Sequence, residues 1–421
     1  MSRRTEDDPV FGNTDSLRHL PFFEEIAAHE EHQAEWRAAT AGLVTLRLID
    51  AWIDEGPEVV APDSWSVRAV IKAIDAMDDG SPVPRILSGI VTRIAENAVT
   101  ATTGEVMTRL LAYARALEYE ARWVLAADVY ETVIARTHPV KESDSAVMAH
   151  IQYAISLRML GKLPEAQDAY TTAGVVAQQA GDMIGVLRAQ IGVAKISVAR
   201  GNLPGAEAVL DKTIAAASEL GVPAVHSMAL HDRAMVAGLR GHHDLAIELA
   251  YEAMRESSTP VDRDRILSDI GTAFHMLGLR SVARDAFLVL SATAQEQYMR
   301  WVATLSLLSI AAEDGAETAF SQLKQQVRVR ELPPDLETEY YIRLGRAYRH
   351  LEQEDLSQIA LSKAIEMAEH YGYAGLLFEA ESALHEPPLP TRINTKAAPF
   401  SDEIAGIAEE VRKMRDAAVL T

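Results

Sequence analysis

Gly161-Lys162-Leu163-Pro164-Glu165-Ala166 decides the reading of this chain, because the same punctuation returns at a nearly fixed interval. It recurs as Gly201-Asn202-Leu203-Pro204-Gly205-Ala206, as Gly241-His242-His243-Asp244-Leu245-Ala246 and as Gly278-Leu279-Arg280-Ser281-Val282-Ala283. Each glycine closes an apolar-periodic segment, and each alanine five residues on opens the next. A period in this range marks a stack of supersecondary units, each unable to bury its apolar face alone.

Working outward from Gly161, fixed offsets recover a small residue seven before the glycine and a large one four before it. A small residue follows five after the glycine and a large one nine after. One unit reads Ala154, Leu157, Ala166, Tyr170; another reads Gly271, Phe274, Ala283, Phe287; a late one reads Gly345, Tyr348, Ser357, Leu361. One period before Gly161 the set is Ala114, Leu117, Ala126 and Tyr130, with Ala121 in the glycine's place. Small residues let paired helices approach, and the large ones fill the space between units. The unit from Trp301 to Gln325 is degenerate, with a weak turn at Asp314-Gly315.

This register resembles the tetratricopeptide repeat family, in a variant with units nearer 40 residues than the usual 34, similar to arrays attached to bacterial regulators. The resemblance covers about residues 105–385. It implies an all-α fold: a right-handed α-solenoid of helical hairpins preceded by a helical N-terminal region. The expected organisation is a flexible lead-in over 1–20, helices over 21–100 and an array of about seven units over 101–385. A proline-rich linker over 386–401 and an amphipathic helix over 402–421 complete it. A single helical pattern runs from Pro21 to the stop at Gly56-Pro57, and Asp63 or Ser64 caps the next helix. The last helix, with Ile404, Ile407, Val411 and Met414, is expected to cap the open end of the array, although folding back or binding another chain stays open.

Composition narrows the function. There are 61 acidic and 40 basic residues, for a net charge of −21. Such a surface repels nucleic acid and anionic membranes. With no cysteine, disulfides, thiolate metal sites and cysteine nucleophiles are excluded. No secretory signal and no apolar run of about 20 residues is present, so a cytoplasmic location is expected. No phosphate loop, nucleophile elbow or zinc-protease helix occurs, so no catalytic residue, cofactor or metal is assigned. His29 and His32, one helical turn apart among glutamates, are read as a solvated face.

Binding residues in such an array are expected on the inner face of each first helix, 13, 10, 6 and 3 residues before the glycine mark. The candidates are Arg115, Arg158, Arg188, Ile191, Lys195, Met228, His231, Met235, Arg265, His275, Arg346 and Arg349. Basic groups dominate this set despite the acidic chain. The expected role is a non-enzymatic scaffold or adaptor that holds a partner protein or an acidic peptide segment, with arginines as forked donors. The family's carboxylate clamp needs asparagines at set positions, and none stands here. Two other readings stay open: a sensor whose array controls an effector, and a self-assembling structural protein or homo-oligomer.

Overall fold

The computed structural model describes residues 18–31, 33–62, 64–77, 80–96, 100–138, 143–385 and 401–419. Every regular element among them is helical. Two compact units divide the chain, Met1–Arg200 and Gly201–Thr421. The sequence anticipates one array over 101–385. The boundary between the two units falls at the Gly201 turn, within that stretch, and the N-terminal helices share an apolar cluster with the first hairpin.

In the first unit, α1 (Leu20–Ala28), α2 (Ala34–Glu55), α3 (Trp65–Asp75) and α4 (Val83–Glu96) precede the hairpins. The helix expected from Pro21 to Gly56 is two helices, the first ending at Ala28 and the second starting at Ala34. Ser64 accepts from the Val67 N–H and starts α3; Asp63, the other candidate cap, lies outside the described residues, as does His32. Helix α4 packs on α5 (Thr103–Tyr119), which pairs with α6 (Trp123–Arg136). A capping box between Thr102 and Glu105 fixes where α5 begins. The next hairpin is α7 (Ser143–Met159) with α8 (Leu163–Ala180), followed by α9 (Met183–Ala199). Gly192 on α9 lies against the Tyr170 ring on α8, where an added Cβ would meet the ring at 2.2 Å.

The second unit opens with α10 (Leu203–Glu219) and continues in four hairpins. These are α11 (Pro223–Leu239) with α12 (His243–Glu256), α13 (Pro260–Met276) with α14 (Arg280–Thr293), α15 (Gln297–Glu313) with α16 (Glu317–Gln326), and α17 (Pro334–His350) with α18 (Glu354–Tyr371). Then come α19 (Ala374–His385) and α20 (Asp402–Val419). The small and large residues of the register fill the core: Ala283, Phe287, Phe274 and Leu361 are at most 1% exposed.

The recurring mark is one local device. Gly161, Gly241, Gly278 and Gly315 all adopt left-handed backbone, with φ between 68° and 80°. In each case the residue after the glycine donates its N–H five residues back, as Lys162 does to Leu157 at 2.9 Å and Ala316 to Ala311 at 2.8 Å. This is the glycine-ended helix stop that satisfies the last carbonyls. The turn at Gly315 is therefore as regular as the others, and the degeneracy of that unit lies in α16, which has only 10 residues. Ala121 and Glu352 take the same position with φ of 57° and 58°, a conformation that is costly for a residue with a Cβ.

Helix α20 does not sit at the end of the array. Its Ile404, Ile407, Ala408 and Val411 are buried in the cluster of α12 and α14, and it packs against those two helices. Amphipathicity requires that its apolar stripe be covered, and the outer groove between two second helices does so. The linker expected over 386–401 lies outside the described residues except for Ser401.

Candidate functional site: the inner face of each unit

All twelve candidates fall on first helices: α5, α7, α9, α11, α13 and α17. Their burial separates them by row. The row ten residues before the mark is mostly enclosed, with Ile151 4%, Ile191 2%, Ser268 7% and Ile342 1% exposed. Neighbouring first helices pack through this row, so Ile191 is a packing residue and not part of the open face. Arg349 is buried too. Its guanidinium donates to the Ala383 carbonyl at 2.6 Å and fastens α17 to α19.

In the second unit His231, His275, Arg346 and Arg265 meet carboxylates from the following repeat. His231 Nε2 lies 2.6 Å from Asp269, and His275 Nε2 lies 2.7 Å from Glu313. Arg346 bonds Glu379 at 2.5 Å, and Arg265 reaches Glu296 at 3.2 Å. Burial would raise the Glu313 carboxyl, but the His275 bond and the nearby charges of His275, His350 and Arg280 hold it below its ordinary value. A cavity of about 340 Å³ opens among Thr272, His275, Glu313, Arg343, Arg346 and His350. There Arg343 also donates to Glu339 and, at 3.1 Å, to Ser306. This face is a ladder of paired charges, with Met228 and Met235 each 40% exposed beside it.

The first unit differs. Among the described residues, Arg115, Arg158 and Arg188 have no carboxylate within ion-pair distance. Arg115 is exposed, and Arg158 and Arg188 are half-buried. Burial first, and then the like charge of Arg115, pull the Arg188 guanidinium below its ordinary value. Arg158 Nε is enclosed and has no hydrogen-bond partner. Lys195 lies on α9, half-buried, two rows along from Arg188. Glu118, the acid nearest Arg115 on α5, is itself raised by burial, and its Oε1 is enclosed without a partner. Asp182 offsets part of the repulsion at Arg188, and Arg115 acts on Glu118, but among the described residues none of the three arginines is held in an ion pair.

Sequence reading missed the acid partners, although a signal existed. His231 to Asp269 and His275 to Glu313 are both 38 residues apart, one repeat. It also missed a buried cluster on the first unit, where His19 lies 2.7 Å from Asp128 and 3.3 Å from Asp50. Arg136 ties Asp50 at 2.8 Å and also holds Asp54. A cavity of about 500 Å³ adjoins this cluster. His19 falls inside the segment expected to be a flexible lead-in.

Hairpins of this register, with left-handed stops and small-residue contacts, make the fold a tetratricopeptide-like helical repeat. No known family model matches the chain, and no curated protein matches it. Among solved structures, the apo form of the quorum sensor NprR from B. thuringiensis is similar at 11% identity, with 82% of this chain and 92% of that chain covered and a TM-score of 0.46. A tetratricopeptide repeat protein from Parabacteroides merdae ATCC 43184 is similar at 13% identity over 65% and 98%, TM-score 0.43. A Rap protein complexed with competence and sporulation factor is similar at 10% identity over 91% and 100%, TM-score 0.41. Among the described residues no helix is long and apolar enough to cross a membrane, and no group of three or more candidate ligand side chains is placed to hold a metal.

Proposed function

We propose that the chain is a non-enzymatic interaction scaffold whose first unit holds an anionic segment of a protein partner on the inner face of α5, α7 and α9. One observation carries this reading: Arg115 and Arg188 lie near enough to repel, and among the described residues neither they nor Arg158 forms an ion pair, whereas His231, His275 and Arg346 of the second unit meet carboxylates. Gathering guanidinium groups without counter-charge costs stability, and a carboxylate-bearing ligand offsets that cost through charge-assisted, forked hydrogen bonds. Lys195 extends the same face.

The test is capture of acidic and neutral peptides by the full chain, followed by fluorescence anisotropy at increasing salt. Binding of acidic peptides should weaken steeply with salt and be lost in Arg115→Glu/Arg188→Glu, but persist in Arg265→Glu/Arg346→Glu. Equal loss in both pairs would remove the first unit's special role.

A further inference from the structure

The outer groove of the second unit carries information that the inner face does not. Helix α20 reaches it across residues 386–401, four of which are proline. The seat is built from both sides. Leu245 and Leu249 on α12, and Val282 and Val289 on α14, belong to the same apolar cluster as Ile404, Ile407, Ala408 and Val411. These four residues stand at i, i+3, i+4 and i+7, one narrow helical stripe. A polar contact helps to set the register: Arg415 donates to Asp285 at 2.7 Å, and Asp285 is only 7% exposed.

Two features argue that α20 is an added layer rather than part of the array. Helices α12, α13 and α14 already pack in sequence, α12 on α13 and α13 on α14, so their mutual core does not depend on α20. At the other end of the seat Glu403 is brought against Glu248. Burial, and then Glu403, raise the Glu248 carboxyl above its ordinary value. Like charges at a contact lower its strength. The seated helix is thus held by four buried apolar side chains, the partly buried Met414 and the Arg415–Asp285 ion pair, and opposed by a carboxylate pair.

We propose that the groove between α12 and α14 is an exchangeable helix-docking site, covered in cis by α20 and taken in trans by an amphipathic helix of a partner protein. The chemistry of the partner helix is read from α20. It needs branched aliphatic or alanine side chains at i, i+3, i+4 and i+7, and a basic residue four positions beyond to meet Asp285. A partner with a neutral or basic residue in place of Glu403 avoids the clash with Glu248 and so competes with the tethered helix. The tether sets the threshold, because it keeps α20 at a high effective concentration near its seat.

The probe is a fluorescent peptide of residues 402–419, added to the full chain. Val411→Asp in the chain should release its own α20 and leave the array's helical circular dichroism and main melting transition unchanged. The opened chain should then bind the peptide saturably, at least about tenfold more tightly than the unmodified chain does. A peptide carrying Arg415→Glu should lose most of that affinity, and one carrying Glu403→Gln should gain some. Hydrogen exchange on the unmodified chain provides a reading without any substitution: α20 amides should exchange well ahead of those of α14. Failure of the opened, still helical chain to bind the peptide overturns the proposal. So does exchange of α20 and α14 in step. A dimer of the unmodified chain that dissociates on Val411→Asp would make the occupant a second copy and overturn the partner reading.

Discussion

His19 and Asp128, 109 residues apart in the chain, lie 2.7 Å apart in a place where His19 is 4% exposed. The pair fastens the start of α1 to α6, and Asp50 on α2 closes the other side of the ring at 3.3 Å. Burial alone would lower the imidazole. The bonds and charges of Asp128 and Asp50 outweigh it and raise His19 to about 9.

That raised value fixes a pH dependence. The folded unit holds the proton more tightly than the unfolded chain, so the stabilisation is complete below the ordinary histidine value near 6.5 and fades as pH rises towards 9. Replacing His19 with Gln should cost about 2–3 kcal/mol at pH 6 and little at pH 9.5. Urea midpoints of the first unit at the two pH values check this; an equal cost at both would show that packing, not charge, carries the contact.

The left-handed stops predict substitutions of opposite sign. Gly161→Ala forces a Cβ into φ 73° and should destabilise by about 1 kcal/mol. Ala121→Gly and Glu352→Gly relieve the same strain at φ 57° and 58° and should stabilise by about 0.5–1 kcal/mol each. Thermal melts of the three variants decide the matter, with a loss on Ala121→Gly being the contrary result.

Close contact between α8 and α9 sets a steric limit. Gly192→Ala drives a methyl into the Tyr170 ring, and Tyr170 is 2% exposed with no room to yield. The expected cost is about 1–3 kcal/mol. The double variant with Tyr170→Leu should recover part of it, which a double-mutant cycle measures.

Arg188 links stability to binding. Its charge is disfavoured by burial and by Arg115, so Arg188→Met should leave the first unit as stable or slightly more so, by a few tenths of a kcal/mol, while capture of acidic peptides falls. Loss of both stability and binding would assign Arg188 to packing instead.

What the sequence disclosed follows from the range of each signal. The glycine mark is legible because a left-handed stop is a local demand, and the register built on it places Ala121 in a glycine's position. The rows of the inner face were also legible, but not which row closes. Ile191 and Arg349 obey the same spacing as Arg188 and Arg346, and only packing against the next helix separates them. His19 with Asp50 and Asp128 left no local trace, since its members are 31 and 109 residues apart. The stripe of α20 announced a buried face without naming the surface that buries it.

Helix α20 packs with α12 and α14, so among the described residues the last hairpin step is left half made. Helix α19 stops at His385 after 12 residues, with Ala380 and Ala383 buried and Phe378 72% exposed. In engineering terms this is a splice point. Consensus hairpins grafted after His385 should stack on α19 and lengthen the array, and they would carry the start of the segment that leads to α20 away from its seat.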